Sequence, residues 1–234
     1  MGESQQVQLK GTAVTIGMPI YGGIPSATAA SLFRTALECQ ASGIRINLLN
    51  LAGPYVHISR DVIVDAFLKT DHEKLFFIDH DHSWSSEDFF RLLALSKLYP
   101  VVVGAYRFKT DEPKYMVSWL TTNPKSEAFG LIKVRGAGLG FAVIDRSVLQ
   151  QLSDKAPLVR NEGDGPSRRR IFRVDTVDET GDGILKDRSE DIAFFDDVRA
   201  LGVDVWLDPS LNIGHIGQTE YGGRLIDHLN RKAE

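Results

Sequence analysis

Short apolar runs alternate with segments of helical periodicity over the first third of the chain. An apolar run bounded by turn residues is typical of a buried strand, and apolar residues three or four positions apart are typical of a helix. The chain accordingly begins with predicted strand, helix, strand, helix and strand: "AVTIGMPIY", a helix capped by Ser26 with Ala29, Ala30, Phe33, Ala36 and Leu37 at helical spacing and Gly43 after it, "IRINLLNL", "RDVIVDAFLKT" and "KLFFID". This order predicts a parallel sheet covered by helices.

The same alternation continues towards the C-terminus. The remaining predicted elements are a helix over residues 86–98, a strand in "PVVVGAY", a strand that runs into a helix in "GLGFAVIDRSVLQQL", a helix in "SEDIAFFDDVRALG" and a strand in "VDVWLDP". The predicted fold class is therefore α/β, with a mostly parallel, Rossmann-like sheet flanked by helices in one domain over residues 1–234.

A polar excursion over residues 153–188 interrupts this pattern. It contains the turn-rich pieces "RNEGDGPSRRR" and "DETGDG" around a short "IFRVDTV". Long excursions in compact domains are usually functional loops or mobile segments, so we expect this one to be mobile and to form part of an acceptor site. Its cluster "SRRRIFR" is interpreted either as a solvated charged loop or as a contact for phosphate, including that of nucleic acid.

Composition narrows the class of protein. With 234 residues, of which 43% are hydrophobic, the chain can bury one sizeable core, and its net charge of −4 argues against wholesale binding to nucleic acid or anionic membranes. It has no apolar run of membrane-spanning length, and "MGESQQVQLKG" lacks the apolar segment of a secretory signal. The single cysteine, Cys39, excludes an internal disulfide and a cysteine zinc site. We therefore expect a cytoplasmic protein without a membrane span.

Four ionisable residues, "DHDH", follow directly on the predicted strand "KLFFI". Ligands of open parallel sheets bind outside the carboxyl ends of the strands, and side chains two apart on an extended chain point the same way. Asp79 and Asp81 can therefore converge on one target. Paired carboxylates suit Mg²⁺ or Mn²⁺, which complete their coordination with water and substrate phosphates. The alternative is that both residues cap the helix after Ser85 or lie solvated in a turn.

Glu190 and Asp191 admit two interpretations that are mutually compatible. With Ser189 as helix N-cap, acidic residues in the first turn are favoured by the helix dipole. One carboxylate, with Asp191 preferred, would also serve as the general base that takes the proton of an acceptor hydroxyl. The helix position is expected to lower the pKa of Asp191 and keep it ionised at neutral pH.

Two further positions are candidates on weaker signals. His215, in "NIGHIG", follows the last strand and is interpreted either as a metal ligand or as a hydrogen-bonded loop residue. The glycines of "RGAGLGF", with Gly138 at the centre, lead into a strand instead of following one, which disfavours a dinucleotide fingerprint. They allow close approach of a bound sugar or simply form a tight turn.

Four ordered segments resemble landmarks of DxD-type GT-A-fold glycosyltransferases, in particular family-2-like enzymes. They are "VTIGMPIYGG", "SRDVIVDAFLKTDHEKLFFIDHDHSW", "VRGAGLGFAVIDRSVL" and "SEDIAFFDDVRALGVDVWLDPSLNIGHIG", and together they span residues 14–217. The resemblance implies donor contacts from Pro19 and Tyr21 at the nucleobase and from Arg60, with Asp79 and Asp81 handling ribose and metal. Residues 153–188 match no part of that pattern.

The resulting expectation is a metal-dependent glycosyltransferase that uses Mn²⁺ or Mg²⁺. It would move a sugar from a nucleoside-diphosphate sugar, with UDP-sugar as the expected donor, to a hydroxyl acceptor. That acceptor would be a glycan or a small molecule, with a modified nucleobase in nucleic acid as the minority alternative. The rival functions are a nucleotidyltransferase and a non-catalytic nucleotide- or sugar-binding module. Against the first, "GMPIYGGIPS" has no lysine for a phosphate loop.

Overall fold

The computed structural model describes residues 8–160 and 167–233, with side chains up to residue 230. Within these ranges the helices are α1 (Ser26–Ala41), α2 (Val56–Phe67), α3 (Ser86–Leu95), α4 (Arg146–Lys155), α5 (Glu190–Ala200) and α6 (Leu225–Ala233). The strands are β1 (Ala13–Ile20), β2 (Arg45–Ala52), β3 (Lys74–Ile78), β4 (His82–Ser83), β5 (Val101–Tyr106), β6 (Val117–Ser118), β7 (Ile132–Val134), β8 (Gly136–Ala137), β9 (Phe141–Asp145), β10 (Leu158–Val159), β11 (Arg168–Arg169), β12 (Asp175–Val177), β13 (Lys186–Arg188), β14 (Val205–Ile216) and β15 (Glu220–Tyr221).

The central sheet has the strand order β15-β14-β5-β9-β3-β1-β2, with β4 and β7 also paired to β14. Strands β2, β1, β3, β5 and β14 all run in one direction, which confirms the predicted α/β class with a mostly parallel sheet. Strand β9 lies between β3 and β5 and is antiparallel to both, with Ile78 opposite Phe141. The start of β9 therefore lies beside the carboxyl end of β3, so the glycine segment before β9 reaches the same sheet edge as Asp79.

The sheet is covered on both faces, as its almost continuously apolar strands require. One buried cluster includes Phe67 of α2, Phe77 of β3 and Phe194 of α5. The other includes Cys39 of α1, Phe76 of β3 and Phe89 of α3. Because successive residues of a strand point to opposite faces, the adjacent pair Phe76 and Phe77 contributes one ring to each cluster.

Helix α1 has the opposite orientation to the one its apolar residues suggest. Its buried side chains are Thr28, Ser31, Thr35 and Cys39, whereas Phe33 and Leu37 are 65% and 50% exposed. Two of the buried hydroxyl groups have partners in the residue after β4: Trp84 Nε1 donates to Thr35 Oγ1 at 2.9 Å, and Ser31 Oγ donates to the Trp84 carbonyl at 2.8 Å. These hydrogen bonds explain how a polar face packs inward.

Strand β14 continues past the predicted end at Pro209. The register against β5 shifts between Asp208 and Ile213, so the strand absorbs the proline at an irregularity and resumes afterwards. The buried Asp208 stabilises this irregularity by accepting hydrogen bonds from Arg91 Nε at 2.6 Å and from the Ser210 amide at 3.0 Å. The continuation carries His215 to the edge where β3 ends, opposite His82 of β4.

The described part of the polar excursion forms two short hairpins, β10–β11 and β12–β13. The first is fixed to α2 by the fully buried Asp61, which accepts hydrogen bonds from the amides of Ile171 and Phe172, both at 2.9 Å, and pairs with Arg168. Burial raises the pKa of Asp61 to about 6, against the effect of these hydrogen bonds. This anchor fixes residues 168–172 to the body of the domain.

The interpretation of "SRRRIFR" as a solvated loop is wrong for most of its arginines. Arg168 is buried against Asp61, Arg169 donates to the Ala156 carbonyl, and Arg173 pairs with Asp175 and with Asp197 of α5. Arg170 is exposed. The segment "NEGDGP", residues 161–166, lies outside the described residues, so the expected mobility of the excursion stays a prediction there.

Among the described residues, no helix is at once long and apolar enough to cross a lipid bilayer.

Replacing either Phe76 of β3 or Phe33 of α1 by alanine tests which of the two rings is buried. Phe76→Ala removes a fully buried ring that stacks on Phe89 at 4.7 Å, and it should lower the free energy of unfolding by about 3–5 kcal/mol. Phe33→Ala removes a ring that is mostly in water, and it should cost less than about 1 kcal/mol. Urea unfolding of both variants measures the difference. Similar losses in the two would contradict the outward orientation of Phe33.

Candidate active site

A pocket of about 400 Å³ opens at the sheet edge where β1, β2 and β3 end. Its walls come from the end of β1, the β2–α2 turn, the residues after β3, the end of β5 and the start of α5. The lining residues are Pro19, Ile20, Tyr21, Gly53, Pro54, Val56, Arg60, Asp79, His80, Asp81, Tyr106, Met116, Glu190, Asp191 and His215. Apart from Gly138, every residue predicted to bind donor or metal or to act in catalysis lies in this lining.

The pocket has two chemically different ends. Pro19, Tyr21, Pro54 and Val56 form an uncharged wall, in which the Tyr21 ring is 73% exposed. Arginine, carboxylates and a histidine form the other end. An uncharged wall with an exposed aromatic ring suits a flat heterocycle, whereas the charged end suits phosphate, metal or a polar reacting group.

Arg60 of α2 holds three carboxylates together at the charged end. Its Nη1 lies 2.6 Å from Asp191 Oδ1 and 2.9 Å from Glu190 Oε1, and its Nη2 lies 2.9 Å from Asp79 Oδ1. The side chain is only 2% exposed. Burial alone would lower the pKa of Arg60, but the charges of Asp79, Asp191 and Glu190 raise it, so the guanidinium stays charged. One buried cation thus fixes the geometry of residues from three elements.

Asp191 shares one guanidinium with two other carboxylates. Burial raises the pKa of Asp191 to about 7, and the charges of Glu190 and Asp79 act in the same direction against Arg60. The expectation that the helix position lowers this pKa is therefore wrong. Ser189 is the N-cap residue, but its side chain makes no capping hydrogen bond, and the dipole of an 11-residue helix is outweighed by burial and by two neighbouring acids.

Asp81, His82 and His215 form a group that could hold a metal ion. One ligand atom from each of them lies within 4.8 Å of the others. Asp81 Oδ1 lies 3.3 Å from His82 Nδ1, and Asp81 Oδ2 lies 3.5 Å from His215 Nε2. Burial alone would raise the pKa of Asp81, but the neighbouring side chains of His215, His82 and Lys109 outweigh it and hold this pKa well below its usual range. Asp81 is therefore anionic at any physiological pH.

Two observations on the imidazoles support this ligand role. His215 Nδ1 lies 2.8 Å from the Arg107 carbonyl, which as the acceptor fixes the proton on Nδ1 and leaves the Nε2 lone pair directed towards Asp81. His82 is fully buried, and neither of its ring nitrogens makes a hydrogen bond with another described residue. Burial lowers the pKa of His82, so the neutral, ligating form is favoured. A buried imidazole without hydrogen bonds calls for a further partner, and a cation supplies one.

Asp79 takes a different position from the one expected of a convergent pair. Its carboxylate is engaged by Arg60 and lies outside the group of Asp81, His82 and His215. The alternation of an extended strand ends at Ile78, because the His82 amide donates to the Asp79 carbonyl and turns the chain. Neither carboxylate caps the helix after Ser85, since the Ser85 side chain itself accepts from the Asp88 amide.

Gly138 has a packing explanation within the protein. A side-chain carbon at this position would lie 2.0 Å from Tyr106 Oη and 2.8 Å from Met116 Sδ, so only glycine lets these two side chains line the pocket. The Tyr106 hydroxyl also accepts a hydrogen bond from the Gly140 amide at 3.2 Å. Contact between Gly138 and a donor stays a prediction.

Several site residues carry no local sequence signal. Tyr106 ends an apolar strand and Met116 lies in a loop, and nothing in their neighbourhood distinguishes them from core residues. Lys109, whose Nζ lies 2.6 Å from Asp81 Oδ2, belongs to a segment with several charged residues. The proximity of His82 to Asp81 does carry a signal, because His82 follows Asp81 directly in the sequence.

The solved crystal structure of A197 from STIV is similar to this chain over almost its whole length. The TM-score is 0.59 at 22% sequence identity, covering 92% of this chain and 91% of A197. A likeness at this identity shows the fold alone, which is a mixed α/β domain with a mostly parallel central sheet. Altogether 218 solved chains match, so the architecture alone does not identify an activity. No family model and no curated protein matches the chain.

The raised pKa of Asp191 predicts a pH dependence of stability. Between the unfolded value of 3.8 and about 7 the folded state binds the extra proton, so the free energy of unfolding should fall as pH rises through this window, by up to about 1.4 kcal/mol per unit. Asp191→Asn removes the titrating group. Urea unfolding at pH 4.5, 5.5 and 6.5 should therefore show a smaller decline in the variant than in the natural protein. Parallel profiles would contradict the assignment.

Proposed function

We propose that this protein is a metal-dependent glycosyltransferase that moves a sugar from a nucleoside-diphosphate sugar to a hydroxyl acceptor. The observation that carries the proposal is one pocket that joins an uncharged, aromatic wall, a group of cation ligands and a buried carboxylate whose pKa is about 7. Each of these three suits one part of such a reaction: the nucleobase, the diphosphate and the acceptor hydroxyl. The GT-A-like fold supports the proposal without deciding it.

The set of candidate metal ligands favours Mn²⁺ over Mg²⁺. One carboxylate and two imidazoles surround the site, and imidazole suits Mn²⁺ better than Mg²⁺, which prefers oxygen ligands throughout. A cation held by Asp81, His82 and His215 would neutralise the charge that develops on the diphosphate as it leaves. Asp79 would contribute indirectly, through the position it gives to Arg60.

In the transfer step, the bond between the anomeric carbon and the phosphate oxygen breaks and a bond to the acceptor oxygen forms. The acceptor hydroxyl loses its proton to Asp191, and the nucleoside diphosphate departs with the electron pair of the broken bond. A pKa of about 7 suits this role, because a base is most effective when its pKa lies near the working pH. Arg60 holds Asp191 and Glu190 in place for the incoming acceptor.

The expected donor is a UDP-sugar. Pro19 and Tyr21 would face the base, with Tyr21 offering a stacking surface. The acceptor is a glycan or a small molecule in this proposal. A nucleic-acid acceptor is less favoured, because Arg168, Arg169 and Arg173 already have partners within the protein.

The direct test is a donor screen that measures release of nucleoside diphosphate in the presence of Mn²⁺, Mg²⁺ or a chelator. Release of UDP from one UDP-sugar with Mn²⁺, and its loss on chelation, is the expected result. Transfer of a nucleotidyl group, seen as pyrophosphate release from a nucleoside triphosphate, would favour a nucleotidyltransferase instead. If the protein binds UDP but turns over none of the donors, with or without an acceptor, a binding module would be favoured.

Removing the anionic metal ligand should abolish most of the activity. Asp81→Asn keeps the size of the side chain but removes its charge, so Mn²⁺ affinity should fall at least tenfold and turnover about a hundredfold or more. Asp88→Asn, on the first turn of α3, removes an acidic group outside the pocket lining and serves as control. Calorimetry with Mn²⁺ and the release assay measure both quantities. Unchanged Mn²⁺ affinity in Asp81→Asn would refute the ligand assignment.

The proton acceptor is tested by Asp191→Asn. This change preserves the shape of the side chain and an oxygen for Arg60, but it removes the basic lone pair, so kcat should fall by roughly two to four orders of magnitude. The Kd for UDP with Mn²⁺ should change less than about threefold, because Asp191 is not a metal ligand in this proposal. A folded variant with near-native kcat would show that Asp191 is not the base.

A further inference from the structure

An ammonium group of the protein lies against one carboxylate oxygen of the candidate metal site. Lys109 Nζ lies 2.6 Å from Asp81 Oδ2, the same oxygen that lies 3.5 Å from His215 Nε2. A divalent cation bound by Asp81 and His215 would therefore lie within a few ångströms of this ammonium. Two cations at that distance repel strongly, even with the screening of a partly exposed site.

The position of Lys109 is fixed by the same segment that orients His215. Lys109 follows Arg107 by two residues, and the Arg107 carbonyl is the acceptor that sets the proton position of His215. The aliphatic part of Lys109 lies over Gly217, where a side-chain carbon would approach Lys109 Cδ to 3.1 Å. Because Gly217 has no side chain, the aliphatic part of Lys109 can pass over its backbone and reach Asp81.

We propose that Lys109 is a displaceable internal cation, which competes with the divalent ion for Asp81 and then pairs with the donor diphosphate. The diphosphate bridged by the divalent ion would lie next to Asp81, and the displaced ammonium needs to move only a short way to reach a phosphate oxygen. The metal alone would then bind weakly, and the diphosphate would promote its binding by giving Lys109 a new anionic partner. This inference rests on the proposed function, since it needs a diphosphate in the pocket.

Lys109→Met tests the competition, because it keeps the aliphatic chain over Gly217 and removes the charge. Mn²⁺ alone should bind this variant about tenfold more tightly than the natural protein, whereas UDP measured at saturating Mn²⁺ should bind about tenfold more weakly. A role in local structure alone would not move the two affinities in opposite directions. Calorimetry with Mn²⁺ and with UDP gives both, and thermal melting verifies that the variant is folded.

Two further variants complete the design. Lys109→Arg keeps a positive charge at the site, so Mn²⁺ alone should still bind weakly. Lys114→Met removes a lysine of the same loop that pairs with Glu112 at 2.9 Å and should change neither affinity. If Lys109→Met binds Mn²⁺ no more tightly than the natural protein, the competition is refuted, and if UDP binding is unchanged, the pairing with diphosphate is refuted. If the natural protein and all variants bind neither Mn²⁺ nor UDP, the proposed function itself fails.

Discussion

The buried guanidinium of Arg60 is the interaction on which the site depends. It joins α2, the residue after β3 and the first turn of α5, and the sheet supplies the scaffold that brings these three elements to one edge. Without Arg60, three acidic side chains in a partly buried pocket would repel one another, and each would have to bind a proton or turn towards solvent. Because Arg60 satisfies them together, the pocket keeps a dense negative lining in a defined geometry. The same arrangement gives Asp191 a pKa of about 7, so this carboxylate can take up and release a proton near neutral pH.

The order of the elements and the edge that carries the site could be predicted from the sequence, because both follow from local patterns. A buried run such as "KLFFI" followed by ionisable residues indicates a strand end at a ligand site, and the structure has a strand end and a pocket there. The direction of β9 could not be predicted, since a strand has the same pattern in either direction. The orientation of α1 could not be predicted either, because it depends on hydrogen bonds between Trp84 and the side chains of Ser31 and Thr35, some fifty residues away.

Within the site, residue types could be predicted better than their pairing. The sequence places Asp79 and Asp81 together, but the turn after Ile78 separates them into two roles, one at Arg60 and one at the histidines. The pKa of Asp191 illustrates the same limit: its helix position and its neighbour Glu190 are visible in the sequence, whereas its burial and the proximity of Asp79 are not. Long-range electrostatics therefore decide the chemistry of residues that local patterns only identify.

The insertion of β9 between β3 and β5 also bears on how the chain is made. Strands β1, β2 and β3 lie within the first 78 residues, and β1 pairs with both of the others, but the second edge of β3 stays unpaired until residues 141–145 have been synthesised. During translation, the mostly apolar "KLFFI" therefore presents an open hydrogen-bonding edge over more than sixty residues of further elongation. Such an edge is prone to pair with other chains. A nascent chain of this protein thus has a defined interval in which chaperone protection matters most, and it ends when β9 leaves the ribosome.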